Sequence, residues 1–362
     1  DVIRGLLQQK DNQNLSALQN LISYNSNERV IQSFLAVASE IFSKDKMKGI
    51  LAEKGSTLNM NPIALIAANN KNEKVLETFW IHIKDYFTPE ELSTFLYETT
   101  DSDGFNALII AAHRNKKSVF ESLVEIIKQS EAKLDCIFKT LVNNKDNILG
   151  LAINESMDES MFSAVFEVAK ETLDIKTLIK LLLNEQFGFK IIERLTIDEV
   201  REGKNRIFLE VFWSALCEIS TPEERKQFLV SKENSYLINA LFLFVQLNGD
   251  KNILETLWNF IQDIFSKEEL KQILSVIDSR YTFSASYGFN ILLLCARDNN
   301  KTVFKTLVEI IKKTEANLRE MFSMSFEGEN IFHLAASNTV DDEMLPSVLE
   351  VAKEVLDDDE IK

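Results

Sequence analysis

Residues 104–128, GFNALIIAAHRNKKSVFESLVEIIK, return at 288–312 as GFNILLLCARDNNKTVFKTLVEIIK, with fifteen of 25 positions identical after a shift of 184. A helical segment copied within one chain specifies an array, because each unit hides its apolar face only against a neighbouring copy. At 362 residues the chain also exceeds what one compact core normally holds. Only 10 Gly and 4 Pro are present, too few for a loop-rich or all-β protein. The apolar residues, 25 Phe among them, recur at helical spacing. The expected fold class is all-α, an elongated α-solenoid.

The long repeat resolves into shorter units. Val75-Leu76-Glu77-Thr78-Phe79-Trp80 matches Ile253-Leu254-Glu255-Thr256-Leu257-Trp258, and 162–170 matches 345–353. Long helices are predicted to begin near 29, 74, 118, 160, 206, 252, 302 and 343. This gives eight units in two halves, 1–184 and 185–362. An extra loop is expected at Tyr281–Ser286. The first half opens on a partial helix, Val2–Leu7, of a preceding unit, and the last unit stops short at Lys362, so we expect a slice of a larger protein.

Within one unit, Asp101-Ser102-Asp103-Gly104 reads as a turn and Asn106 as the cap of a short helix, Ala107–His113. A longer helix from Ser118 to about Gln129 carries Val119, Phe120, Leu123, Ile126 and Ile127 on one face. Ser130 then caps a third helix, Glu131 to about Val142. Thr88-Pro89-Glu90-Glu91 and Thr221-Pro222-Glu223-Glu224 open the same third helix elsewhere. Three helices per unit, short–long–medium, is the expectation.

These residues carry a resemblance. Asp101-x-Asp-Gly-x-Asn106-Ala107-Leu108-Ile109-Ile110-Ala111-Ala112 resembles the D-x-x-G-x-T-P-L-H-x-A-A opening of ankyrin repeats. Gly328-x-Asn330-Ile331-Phe332-His333-Leu334-Ala335-Ala336 is closer, with His333 at the family's histidine position. The match is good in the third and eighth units and poor in the first, second, fifth and sixth. It implies a right-handed array of about eight ankyrin-like units, with His333 bonding turn backbone. Asn replaces Thr, Pro is lost, and each unit is about ten residues longer. A third helix leaves no room for the family's hairpin finger. The position after the histidine is apolar here, at Ile110, Leu151, Leu294 and Leu334. Either the extra helix covers that face or the array presents an apolar groove; covering is expected, since long exposed apolar patches are rare.

Parts for catalysis do not assemble. His82, His113 and His333 form no metal-binding spacing. His82 reads as a partly buried packing residue. Carboxylates cluster at helix starts, including Glu268-Glu269, Asp341-Asp342-Glu343 and Asp357–Glu360, where the helix dipole accounts for them. Glycine spacing builds no nucleotide cradle. Trp80, Trp213 and Trp258 read as core. Cys136, Cys217 and Cys295 read as small buried hydrophobes, favouring a reducing, cytoplasmic compartment. The sequons at Asn14, Asn154 and Asn300 read as accidental in an Asn-rich chain. No catalytic residue, metal or cofactor is expected.

Net charge is −16, which disfavours nucleic acid, and no stretch approaches 18 apolar residues. The remaining expectation is a non-catalytic scaffold binding a peptide, a folded domain or a second array, self-association included. Recognition is assigned to the loops between first and second helices: Arg114, Asn115, Lys116, Asp298, Asn299 and Asn300, where matched units differ in charge. The basic runs Arg114–Lys117 and Lys301–Lys305 read as solvated loops. The alternative is the targeting segment of a larger secreted or symbiont-delivered effector or toxin.

Overall fold

The fold comes from a computed structural model that describes residues 7, 9–12, 15–54, 60–70, 72–97, 104–130, 133–140, 147–152, 159–182, 204–229, 245, 251–275, 289–337 and 343–356. The chain divides into two compact units, Asp1–Leu182 and Leu183–Lys362. The described residues are overwhelmingly helical.

The first unit holds four helix triads: α1 (Ala17–Tyr24), α2 (Glu28–Ile41) and α3 (Lys44–Ala52); α4 (Pro62–Asn69), α5 (Glu73–Ile83) and α6 (Pro89–Tyr97); α7 (Ala107–His113), α8 (Lys117–Gln129) and α9 (Leu134–Lys139); α10 (Ile148–Ala152), α11 (Glu159–Thr172) and α12 (Ile175–Leu182). The short helices α1, α4, α7 and α10 pack in succession, and so do the long helices α2, α5, α8 and α11. Third helices fill in beside them: α6 meets α7, α9 meets α8 and α11, and α12 meets α10 and α11.

The described residues of the second unit form α13 (Lys204–Ile219), α14 (Pro222–Leu229), α15 (Lys251–Gln262), α16 (Lys267–Leu274), α17 (Ile291–Arg297), α18 (Lys301–Thr314), α19 (Leu318–Ser323), α20 (Ile331–Ser337) and α21 (Met344–Val355). Here α13, α15, α18 and α21 pack in succession, and α17 packs on α20. The partial helix at 2–6, the turn 101–103, the loop 281–286, the acidic run 357–360 and the sequons Asn14 and Asn154 lie outside the described residues.

Amphipathic periodicity produces the core. Helix α8 buries Val119, Phe120, Leu123, Val124, Ile126 and Ile127, and α18 buries Val303, Phe304, Leu307, Val308, Ile310 and Ile311 at the matched positions. Phe79, Phe120, Phe162, Phe208 and Phe304 on long helices are fully buried, each contributing about 1.5–3 kcal/mol. Ile110, Leu151, Leu294 and Leu334 are all buried, so the apolar face of the short helices is covered. The third helices α6, α12 and α19 pack against α7, α10 and α17 respectively.

Asparagine ties the first helix to the third. Oδ1 of Asn61, Asn147 and Asn290 accepts from the N–H of Ala64, Gly150 and Leu293 (2.8, 3.0 and 2.9 Å), closing the first turns of α4, α10 and α17. Their Nδ2 atoms donate to the carbonyls of Phe95, Leu181 and Met321 in the last turns of α6, α12 and α19 (2.8, 3.0 and 2.8 Å). In the first triad Gln19 supplies the second bond, to Glu53 O at 3.0 Å. Neighbouring triads are joined by Asn70 Nδ2, which donates to the carbonyls of Ile22 and Asn25, and by ion pairs such as Lys48–Glu91 and Lys128–Glu171.

Four expectations are corrected. A hairpin does exist: β1 (Ser325–Phe326) pairs antiparallel with β2 (Glu329–Asn330) between α19 and α20. Its turn residues Glu327 and Gly328 have φ of 51° and 88°, the geometry of a tight two-residue hairpin. It follows α19 directly, one residue after that helix ends at Ser323. The third helix of the 104–128 triad starts at Leu134, not Glu131, and Ser130 is the C-cap of α8, its hydroxyl donating to Ile127 O. Cys136 and Cys217 are exposed; only Cys295 is buried, and burial pushes its thiol up. Lys301–Lys305 form the first turn of α18 rather than a loop.

Candidate binding surfaces

The six loop residues sit in two copies of one backbone motif. After α7, Asn115 takes φ 54°, its N–H donates to Ala112 O, and Lys116 N–H reaches back to Ala111 O at 2.9 Å. After α17, Asn299 takes φ 56°, with N–H bonds from Asn299 to Ala296 O and from Asn300 to Cys295 O. This is the Schellman closure, in which a left-handed residue satisfies the last carbonyls of a helix. Asparagine tolerates that conformation better than other residues with a Cβ.

The motif constrains what these side chains offer. Arg114 is exposed, whereas Asn115 and Lys116 are half-buried. Asp298 pairs with Arg297, Nε to Oδ1 at 2.7 Å and Nη2 to Oδ2 at 3.0 Å. Asn300 is buried, and its Oδ1 caps α18 by accepting from Val303 N–H at 3.1 Å. Arg114 and Lys116 lie in the first unit and Asp298 in the second.

A second surface lies within the second unit, between the long helices α15 and α18. A groove of about 470 Å³ runs there, lined by Lys251, Glu255, Trp258, Lys301, Lys305, Glu309, Ile310 and Lys313 among others. Lys251 pairs with Glu255 (3.5 Å), Lys305 with Glu350 (3.4 Å), and Lys301 with Glu343. These pairs are solvent-exposed and each contributes about 0–1 kcal/mol, so the ammonium groups exchange partners at little cost. Trp258 and Ile310 are buried beneath them. The indole N–H of Trp258 is buried without an acceptor, but so is that of Trp80 at the matched position, which ties the feature to the module rather than to the groove.

Sequence reasoning passed over this groove because it read 301–305 as a loop. The signal was present: Glu73, Glu121 and Gln129 of α5 and α8 are matched by Lys251, Lys305 and Lys313. The positions on α5, just after it and on α8 that correspond to the groove lining hold four Glu (73, 77, 121, 125) and two Lys (84, 117), where the lining holds four Lys and two Glu.

The histidines have local roles. His82 is half-buried, with Nδ1 2.9 Å from Thr78 O. His113 meets the Phe105 ring edge-on at 5.3 Å. Nδ1 of His333 lies 2.7 Å from Asn330 Oδ1 and 3.3 Å from Asn330 N, so the ring fastens the hairpin to α20. Trp80, Trp213 and Trp258 are buried. Among the described residues no group of His, Cys, Asp and Glu is placed to hold a metal, and no helix is long and apolar enough to cross a membrane. No family model and no curated protein matches the chain.

Proposed function

We propose that this chain is a non-catalytic protein-interaction scaffold, a divergent ankyrin-like α-solenoid of about eight three-helix modules. The carrying observation is the contrast between α8 and α18. Their six matched apolar positions are buried in both, while the exposed Glu121 and Gln129 become Lys305 and Lys313. A scaffold needs that division: a constant core to stack modules, and a surface that varies where partners are chosen. The first-to-second helix loops follow the same rule, with one backbone motif carrying Arg114 and Lys116 in one copy and Asp298 and Asn300 in the other.

Affinity purification at low and moderate salt tests this. A specific partner should remain bound at moderate salt and be lost when Arg114, Lys116 and Asp298 are changed to Ala together. Recovery of nothing beyond a bead control at either salt contradicts the reading.

A further inference from the structure

We infer that α2 and α21 carry the two halves of a head-to-tail contact between copies of this chain, the open edge of α2 in one copy receiving the open edge of α21 in another. The proposal rests on the interaction reading and names a second copy as one partner.

Long helices that pack in succession meet along two different edges, one toward the helix before and one toward the helix after. Ion pairs give that contact a direction. Lys128 Nζ of α8 donates to Glu171 of α11 (3.0 Å), and Lys312 Nζ of α18 donates to Glu354 of α21 (2.5 Å). The pairs Lys48–Glu91, Lys301–Glu343 and Lys305–Glu350 run the same way, lysine on the earlier helix. At the position of Glu171 and Glu354, α2 has Glu40; at the position of Lys128 and Lys312, α21 has Lys353. Both are exposed, and neither has an ion-pair partner among the described residues.

The apolar residues beside these charges agree. On α2, Val30 is 41% exposed and Val37 51%, with Phe34 and Ile41 half-buried on the same stripe. The matched Val75 and Phe79 of α5, and Val119 and Leu123 of α8, are fully buried, and each of those helices has a long helix packed before it. On α21, Leu349 is 37% exposed and Leu345 half-buried. The matched Val308 and Phe304 of α18, which has α21 packed after it, are buried. An uncovered edge of α2 calls for the pattern that its matched edges already pack against. The edge of α21 supplies it: leucines beside a lysine that would meet Glu40. Helix α13 also exposes Ile207 at the position of Val30, but has Ser214 and Cys217 where α2 has Val37 and Glu40, so apolar length and charge both favour α2. The contact joins unlike faces, so a copy held by its α2 edge keeps its α21 edge free for another.

Sedimentation velocity on the full chain over a range of concentrations tests this. The average mass should rise with concentration past that of a dimer. Val30→Glu with Val37→Glu, and separately Leu349→Glu with Lys353→Glu, should each hold the protein as a monomer. Mixed in equal amounts, these two variants should form a one-to-one dimer and nothing larger, because one intact edge of each kind remains between them. Ile81→Glu, at an exposed residue of α5 that no helix covers, should leave the rise unchanged. Glu40→Lys and Lys353→Glu should each weaken association about threefold and restore it when combined in one chain, which keeps the test valid if the edge substitutions disturb the fold. A monomer at every concentration, or a mixture of the two edge variants that stays monomeric, overturns the proposal. Mass that stops at the dimer and survives loss of the α21 edge assigns α2 to a two-fold contact with itself and overturns the head-to-tail assignment. None of these failures touches the scaffold reading, which stands or falls on the purification result.

Discussion

Asparagine recurs at the start of the short helices because one side chain there serves two backbones. Its oxygen closes the first turn, and its amide N–H holds the end of the third helix. A serine at the same place keeps the first bond and lacks the second. Asn290→Ser should therefore cost about 1–3 kcal/mol, because the Met321 carbonyl is left buried without a donor. Asn27, which caps α2 from an exposed position and makes only the cap bond, provides the control. Asn27→Ser should cost less than about 1 kcal/mol, since the two residues cap comparably. Urea denaturation of both variants checks this, and equal losses would show that the amide bond contributes nothing. The cap itself was legible: Asn106 stands directly before Ala107–His113, and the helix has those bounds. The second bond was not, because its acceptor lies 31–34 residues away at Asn61, Asn147 and Asn290. Cys136 shows the opposite failure. Apolar neighbours Leu134, Ile137 and Phe138 suggested burial, yet one step of helical phase turns its thiol to solvent.

At the scale of elements, the long helices were the most legible because their apolar period persists for three turns or more. Predicted starts near 118, 252 and 302 compare with observed starts at Lys117, Lys251 and Lys301. Third helices were readable where cap, proline and acid stand together, as at Pro89 and Pro222. They were overextended where Ser130 offered a false cap. Their capping boxes make stability depend on acid. Hydrogen bonds from Lys226, and then from Ser266, hold the Glu269 carboxyl down at about 2 against an ordinary 4.5. Lys48 and Thr88 lower Glu91, and the Thr221 backbone and hydroxyl lower Glu224. Protons then bind the unfolded chain more readily than the folded one, so this contribution is full above about pH 5 and drains as pH falls toward about 2. The urea midpoint should decline across that window, and Glu269→Gln should make the decline shallower. A midpoint flat from pH 5 to pH 3 would show that these carboxylates are not bonded as described.

For the whole molecule, the duplication 104–128 to 288–312 implied repeated modules, and the described helices follow that order within each unit. Residues 183–203 and 230–244, where the fifth and sixth modules are expected to have their first helices, lie outside the described residues. The central claim is that every module draws its stability from its immediate neighbours. Hydrogen exchange on Leu123→Ala tests it most directly, because that side chain is wholly buried and its truncation removes about 2–5 kcal/mol. Protection should fall most in α7–α9, less in α4–α6 and α10–α12, and not at all in α18. An equal loss from α1 through α21 would mean one indivisible core, and the modular account would be wrong.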